Sequence, residues 1–329
     1  MIFCSSFRHT MFLRGASLAK PFSSAGKKQG IRDPRGTLFQ VLAQTIEKHR
    51  PPFFVLENVK RLLSMEKGCH FATILSALAA LGYRVEWRLL NAMNFGLAQN
   101  RQRVILVGSR VYDSEDTSYL APAADFEKLN DSVLGQIHDR EQWWKLEKHG
   151  ENFATWGCAV GDDFVSADLD HFSEAKPRAT LENVLERDVP RQFDFTESMK
   201  PRLSQNDEVN RFVDGVEIIS NQLGGARMGY TVFGVHGVAP TLTAATSRHY
   251  ERYKVGDTYR RLTNVEYARL QGFADDHCSV VSVYDQYSLY GNAVPPPMAE
   301  WVLRRIKSGG SKLPRPDVSQ LSFALNEKA

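Results

Sequence analysis

Hydrophobic and polar positions between residues 34 and 109 repeat with two different periods. The stretches 36–49 and 70–83 place apolar residues three and four positions apart, which predicts two helices. Shorter apolar or alternating runs at 51–59, 84–92 and 103–109 predict strands. Helices and strands that alternate in this way indicate an α/β domain built on a parallel sheet.

The pattern changes after residue 110. Residues 110–180 show little periodicity, and the glycine-rich residues 181–258 predict a small, mostly β region. Helical periodicity returns at 262–273, where Thr263 and Glu266 have the spacing of a capping box. The stretch 291–307 begins as a proline-containing loop and continues as a helix. The residues after Lys307 are rich in Gly, Ser and Pro, which predicts a disordered tail.

The composition narrows the class of protein. Hydrophobic residues make up 43% of the chain and charged residues 24%, which is ordinary for a globular protein. The net charge of +3 is compatible with nucleic-acid binding without requiring it. The four cysteines form no CxxC pair, so we expect no disulfide framework, no metal site and a reducing compartment. No run reaches the roughly 18 apolar residues of a membrane span, so no membrane partner is expected.

Five stretches of the chain carry recognisable motifs in one order. They read PFSSAGKKQG…DPRGTLF (21–39), ENV (57–59), NFGLAQNRQRV (94–104), RRLTNVEYARLQGF (260–273) and GNAVPPPMAEWV (291–302). Together they resemble the cytosine-5 DNA methyltransferase family, the modification enzymes of bacterial restriction systems. The resemblance covers about 21–108 and 260–306. It implies an α/β fold, with a partial Rossmann-like methyltransferase sheet and a small, mostly β target-recognition domain inserted.

Glu57 is the first candidate for chemistry. It follows the apolar run FFVL, at the end of a predicted strand, where open α/β sheets bind ligands. A carboxyl group there can hydrogen-bond a base edge and stabilise developing charge. Taken alone, such a glutamate is more often a surface or capping residue. The resemblance implies instead that Glu57 is catalytic and contacts a cytosine that has left the DNA stack.

Gln99, Arg101 and Arg103 form a QxRxR motif. Alternate residues of an extended segment share one face, so the sequence predicts that the three side chains point the same way. Two guanidinium groups on one face suit a phosphate and a base carbonyl. The resemblance implies that Arg101 and Arg103 are catalytic, with Arg103 holding the cytosine, and that Gln99 contacts DNA.

The resemblance also implies S-adenosylmethionine as the methyl donor and double-stranded DNA as the substrate. Leu38 and Asn292 match positions that line the donor pocket, although a core leucine and a turn asparagine are competing readings. Ser23 and Lys27 lie in a loop whose hydroxyl and ammonium groups suit phosphates. A flexible polar loop would have the same composition.

The position of the expected nucleophile is occupied by Ala19. The family's catalytic cysteine lies in Pro-Cys-Gln just before a Phe-Ser step; counting back from Phe22–Ser23 across Pro21 places Leu18, Ala19 and Lys20 on that tripeptide. Residues 1–20 contain no acidic residue and no glycine-rich cofactor loop, so the first three strands of the expected sheet have no sequence to form them. Their composition resembles a transit peptide, but a complete domain would then follow. A truncated or frameshifted reading is therefore preferred.

The sequence predicts the following layout: a non-matching segment 1–20, a first catalytic part 21–109, a variable and target-recognition region 110–258, a second catalytic part 259–307 and a disordered tail 308–329. The function implied is DNA cytosine-5 methylation in the bacterial cytoplasm, beside a cognate restriction endonuclease. We expect this chain alone to be inactive. The alternatives are one half of a split enzyme, with a separate chain carrying the N-terminal motifs, or a non-catalytic DNA-binding module. An RNA cytosine methyltransferase is the weakest reading, because the long variable region suits DNA recognition.

Overall fold

A computed structural model describes residues 4–7, 10–14, 36–110, 116–196, 207–221, 231–244 and 251–315. The chain divides into two compact units. Unit 1 comprises Met1–Leu90, Arg103–Glu174 and Val302–Ala329, and unit 2 comprises Asn91–Gln102 and Ala175–Trp301. Among the described residues, no helix combines the length and hydrophobicity that a membrane crossing requires.

Six α-helices are described, with these bounds: α1 (Gly36–His49), α2 (Cys69–Ala80), α3 (Asp131–His138), α4 (Asn264–Gln271), α5 (Val283–Asn292) and α6 (Pro296–Lys307). The described strands are β1 (Cys4–Phe7), β2 (Thr10–Arg14), β3 (Phe53–Val59), β4 (Arg84–Asn91), β5 (Gln102–Ser109), β6 (Thr117–Ser118), β7 (Trp144–Lys145), β8 (Trp156–Val160), β9 (Asp163–Ala167), β10 (Asp207–Val213), β11 (Val216–Asn221), β12 (Thr231–Phe233), β13 (Arg252–Val255), β14 (Thr258–Arg260) and β15 (Ser311–Lys312). The helices and strands predicted between 36 and 109 are confirmed to within three residues at their ends.

The main sheet of unit 1 has the strand order β1-β2-β3-β5-β4-β8-β9-β7. Strand β2 runs parallel to β3, whereas the β3–β5, β4–β8 and β8–β9 pairs are antiparallel. The α/β class is therefore confirmed, but the prediction of a parallel sheet is wrong for the β3–β5 pair. Strands β8 and β9 are joined by a tight turn, and such turns produce antiparallel neighbours without a crossover helix.

The N-terminal residues supply two strands to this sheet, although the sequence predicted no strand before residue 51. Strands β1 and β2 form an antiparallel pair, and β2 lies beside β3 with Thr10 opposite Phe53 and Arg14 opposite Glu57. The edge of β3 is therefore covered, and its backbone hydrogen-bonding groups find partners.

The hydrophobic core of unit 1 packs around α2 and the centre of the sheet. Strand β3 is buried from Phe54 to Asn58, as its unbroken apolar run predicts. The rings of Phe71, Trp87 and Phe153 meet edge to face with centroids 5.0 to 5.5 Å apart. Aromatic rings prefer this geometry, and it fixes the sheet that carries the candidate site.

The C-terminal part of unit 1 is ordered beyond the end of α6. Strand β15 pairs with β6, and Leu313 is buried in a cluster with Phe126 and Trp156. The predicted disordered tail, 308–329, is thus wrong for residues 308–315. Arg305 adds hydrogen bonds to the carbonyls of Tyr119, Ser118 and Ala121. Residues 316–329 lie outside the described part of the chain.

Unit 2 is built on a five-stranded sheet with the order β10-β11-β12-β13-β14, together with α4 and α5. The mostly β character predicted for this part of the chain agrees with the sheet. The predicted boundaries do not agree with the two units. Residues 116–174 pack within unit 1, and most of the second catalytic part, up to Trp301, packs within unit 2. Helix α5 had no counterpart in the sequence prediction, which assigned no element to residues 274–290.

Candidate active site

Glu57 and Arg103 form a direct ion pair on two neighbouring strands of unit 1. In the antiparallel register of β3 and β5, Val59 lies opposite Arg103 and Glu57 lies opposite Ile105. Side chains two residues apart in a strand share a face, so Glu57 and Arg103 are diagonal neighbours. The Nε of Arg103 donates to Oε1 of Glu57 over 2.7 Å. The structure thus brings together two residues that the sequence assigned to the same task.

Burial shapes the electrostatics of this pair. The Glu57 side chain is 4% exposed and that of Arg103 is 11% exposed. Burial lowers the pKa of Arg103, and the charge and hydrogen bond of Glu57 oppose that shift. The guanidinium stays cationic at neutral pH, because the ordinary pKa of arginine is so high. A carboxylate acceptor therefore lies beside a guanidinium donor, a combination that can hold a ring edge bearing an amine and a carbonyl.

Asn58, the neighbour of Glu57, points to the other face of β3. Its Oδ1 accepts the Val59 N–H over 2.8 Å. Its Nδ2 is buried and has no hydrogen-bond partner within the part of the chain that the structure describes. A buried amide donor without a partner costs stability, so this residue is not placed for folding alone.

Gln99 and Arg101 do not share the surroundings of Arg103, and the prediction of one common face is wrong. Gln99 is fully buried; its Nε2 donates to the Leu270 carbonyl over 3.1 Å, and its Oε1 accepts the Leu242 N–H over 3.0 Å. The expectation that Gln99 contacts DNA is corrected accordingly, because both ends of its amide are bonded inside unit 2.

Arg101 is 1% exposed and also holds the backbone of unit 2. Its Nη1 donates to the Leu242 carbonyl over 3.0 Å, and its Nη2 donates to the carbonyls of Gly291 and Ala293 over 2.9 and 3.0 Å. The assignment of Arg101 as a catalytic residue is corrected to a positioning role, since its guanidinium is aimed at three carbonyls.

The reason for the divergence is local. Strand β5 begins only at Gln102, so Gln99 and Arg101 lie in the preceding loop and do not follow strand alternation. Asn91 closes that loop: its Oδ1 accepts the Arg101 N–H over 3.1 Å, and its Nδ2 donates to Oδ1 of Asn100 over 2.9 Å. Asn91 was not among the residues predicted from the sequence. An asparagine at the end of a predicted strand, before a loop, was the available signal.

The other predicted site residues have mixed outcomes. Asn292 is the last residue of α5 and its side chain is exposed. Leu38 belongs to α1, but its side chain lies outside the described residues. Ala19, Ser23 and Lys27 also lie outside the described residues.

The helix predicted at 262–273 is confirmed as α4, and so is its capping box. Thr263 accepts the Glu266 N–H, and the Glu266 carboxylate accepts the Thr263 N–H over 2.8 Å. That carboxylate also pairs with Arg260, whose Nη2 lies 2.7 Å from Oε1. Arg269 ties the helix down by bonding the Val184 carbonyl and the Asp275 carboxylate. Helix α4 is thus architectural in unit 2.

Known proteins resemble this chain over most of its length. A family model described as C-5 cytosine-specific DNA methylase matches residues 19–308. The type II methyltransferase M.NlaIV of Neisseria lactamica is 26% identical to the chain, over 87% of this chain and 80% of that protein. The type II methyltransferase M.SsoII of Shigella sonnei is 27% identical over 87% of this chain, which spans only 61% of that protein.

A solved structure supports the fold. A crystal structure of Spodoptera frugiperda DNMT2 aligns with a TM-score of 0.55 and 14% identity, covering 91% of this chain and 79% of that one. At this identity the similarity concerns the fold alone, and it agrees with a Rossmann-like α/β architecture. Since the family model spans most of the sequence, the chain belongs to the C-5 cytosine-specific DNA methylase family.

Proposed function

We propose that this chain binds double-stranded DNA and holds one extruded cytosine against Glu57 and Arg103. The observation that carries the proposal is the buried 2.7 Å pair between the two side chains. The exocyclic amine of cytosine is a donor that a carboxylate accepts, and its ring carbonyl suits a guanidinium. The ring cannot reach these groups inside a duplex, so the base leaves the stack.

The remaining residues have supporting roles in this proposal. Arg101 and Gln99 fix the loop before β5 and so set the start of the strand that carries Arg103. Ser23 and Lys27 contact the DNA backbone. Asn292 contacts S-adenosylmethionine, and its exposed amide is accessible to such a ligand. When bound, that cofactor would supply the methyl group transferred to C5 of cytosine.

We further propose that the chain alone does not transfer a methyl group. The reaction needs a nucleophile at C6 of cytosine, and thiolates are suited to this attack. The aligned position holds Ala19, which has no reactive atom. A second chain that carries a cysteine would complete the site. A restriction endonuclease of the same specificity in a bacterial cytoplasm is the proposed companion, in keeping with the type II names of the relatives.

The cytosine site is tested with duplexes that contain one loose base opposite an abasic position. A cytosine there should bind the chain about tenfold more tightly than a thymine, because thymine presents a carbonyl where cytosine presents an amine. Glu57→Gln should abolish this preference, since an amide can accept or donate. Glu47→Gln, at an exposed position of α1, is the matched control and should retain the preference. Equal binding of both bases by the unmodified chain would refute the proposal.

Ala19 favours a second candidate, a DNA-binding module without catalysis. The two are separated by incubating the purified chain with mixed-sequence DNA and tritiated S-adenosylmethionine. We expect no label in the DNA, whereas incorporation would refute the proposed inactivity. Label that appears only after a second protein is added would favour the split enzyme over the binding module.

A further inference from the structure

Two exposed cations stand near the start of the second segment of unit 2, in the sequence Lys176-Pro177-Arg178. The segment belongs to none of the motifs discussed above. Proline fixes its own φ and favours an extended conformation in the residue before it. Both Lys176 and Arg178 are exposed in the structure.

The Lys176 end of this segment is anchored to the turn at 94–96. The Lys176 N–H donates to the Asn94 carbonyl over 2.9 Å. Gly96 has a φ of +81°, and a Cβ built there would lie 3.5 Å from the Cβ of Lys176. The lysine backbone is therefore fixed beside the NFG part of the NFGLAQNR motif, while its ammonium remains exposed.

The Arg178 end lies against the turn between β10 and β11. A Cβ at Gly215, where φ is +81°, would lie 3.0 Å from Nη1 of Arg178. The same turn is bonded to the motif loop, because Nδ2 of Asn100 donates to the Asp214 carbonyl over 3.2 Å. Lys176 is thus bonded to the 94–101 loop directly, and Arg178 lies against a turn that is bonded to the same loop.

The two positive charges of this segment are not neutralised by described acidic residues of the chain. Neither Lys176 nor Arg178 forms an ion pair with any residue that the structure describes. Glu174, the nearest acidic residue in the sequence, has its Oε1 3.6 Å from Nη1 of Arg305. The Glu217 carboxylate lies beside Nδ1 of His236. Lys176 is anchored through its backbone and Arg178 lies against the β10–β11 turn. Exposed cations that are held in place and paired with no described carboxylate are suited to an anionic chain.

We propose that Lys176 and Arg178 bind two phosphates of the DNA backbone and hold the duplex against the 94–101 loop. The lysine supplies a point charge and the arginine a planar set of donors, both of which suit phosphate oxygens. This inference rests on the proposed binding of DNA. It adds the residues that position the duplex, which the base-contacting pair cannot do by itself.

The test is the salt dependence of DNA binding by the full chain. Affinity for a fluorescein-labelled 30-base-pair duplex of mixed sequence is measured by anisotropy between 50 and 200 mM KCl. Each phosphate contact contributes about 0.9 to the slope of log K against log salt. The variant Lys176→Ala/Arg178→Ala should reduce the slope by about 1.8. Its loss of affinity between the two salt concentrations should then be about 12-fold smaller than that of the unmodified chain.

Two control variants make the result specific. The variant Lys176→Arg/Arg178→Lys keeps both charges and should keep the slope. Lys148→Ala removes one exposed charge from unit 1 and should leave the slope unchanged. A double-alanine slope equal to that of Lys148→Ala would overturn the inference while DNA binding itself stands. If the unmodified chain bound no duplex at 50 mM KCl, the proposed function would fail together with this inference. Thermal melts of each variant check that the fold is retained.

Discussion

Arg101 and Arg103 are two residues apart in the sequence, yet their guanidinium groups bond different kinds of partner. Arg103 lies in β5 of unit 1 and pairs with the Glu57 carboxylate at 2.7 Å, with 11% of its side chain exposed. Arg101 lies in unit 2, is 1% exposed and bonds three backbone carbonyls. The comparison shows that one motif serves two purposes: Arg101 in its first half bonds backbone carbonyls of unit 2, and Arg103 in its second half forms a buried ion pair with Glu57, where we propose that the cytosine binds.

The largest effect should follow from Arg101→Met. The substitution keeps the apolar stem but leaves the carbonyls of Leu242, Gly291 and Ala293 without donors. Buried groups that lose a partner cost about 1 to 3 kcal/mol each, so we expect a loss of about 4 kcal/mol in unfolding free energy. Urea denaturation measures it. A loss below about 1 kcal/mol would show that these hydrogen bonds do not hold unit 2.

The matched variant Arg103→Met should behave differently, because its partner is a charge that can also be removed. Removing one member of a buried pair leaves the other uncompensated and costs about 3 kcal/mol. The double variant Glu57→Gln/Arg103→Met should be more stable than either single variant, since no lone charge remains. Additive losses in a double-mutant cycle would contradict the pairing.

Gln99→Ala should cost less than either arginine substitution. It removes one donor and one acceptor and leaves the Leu270 carbonyl and the Leu242 N–H unpaired, so we expect about 2 kcal/mol. Gln40→Ala, on the exposed side of α1, is the matched control and should change stability by less than about 0.5 kcal/mol. Thermal denaturation measures the stability of both variants. Equal losses of stability in Gln99→Ala and Gln40→Ala would contradict the architectural role of Gln99.

The smallest effect concerns the pair of Glu217 with the exposed His236 in unit 2. It sharpens the comparison by showing how much burial strengthens an ion pair. The Glu217 carboxylate lies 3.1 Å from Nδ1 of His236, whose side chain is 69% exposed. The hydrogen bond and charge of Glu217 raise the pKa of His236 above 6.5. The pair therefore stabilises the fold below about pH 6.5, and this contribution is lost as the pH rises through the raised pKa.

An NMR titration of the His236 ring measures that shift. Glu217→Gln should return the pKa towards 6.5, while Glu182→Gln should lower it less, because Glu182 acts only through its charge. A ring that titrates at the same pH in all three proteins would contradict the pairing.

The sequence predicted those parts of the molecule whose structure depends on interactions between residues close together in the chain. Helix α1, the buried strand β3 and the Thr263 capping box follow from periodicity and local hydrogen bonding, and each is confirmed. The pairing of Glu57 with Arg103 agrees with their shared assignment, although strand order was needed to place them side by side.

The rest depends on contacts between distant residues. The burial of Gln99 arises from Leu242 and Leu270, which lie more than 140 residues further along the chain. The strand order of the sheet, with β5 between β3 and β4, is likewise set by tertiary packing. Alternation predicted one face for Gln99, Arg101 and Arg103 because it assumed a strand three residues longer than the real one.

The pairing of β15 with β6 has a practical consequence for anyone who shortens or tags this protein. Composition alone suggests that the chain can be cut after Lys307. Such a cut would remove the Ser311 hydroxyl that accepts from Arg305, the Leu313 N–H that donates to the Asp116 carbonyl, and the Leu313 side chain itself. The segment at 116–121 would lose its pairing with β15, and Trp156 would lose a packing neighbour. A purification tag therefore belongs after residue 315, where it leaves the pairing of β15 with β6 intact.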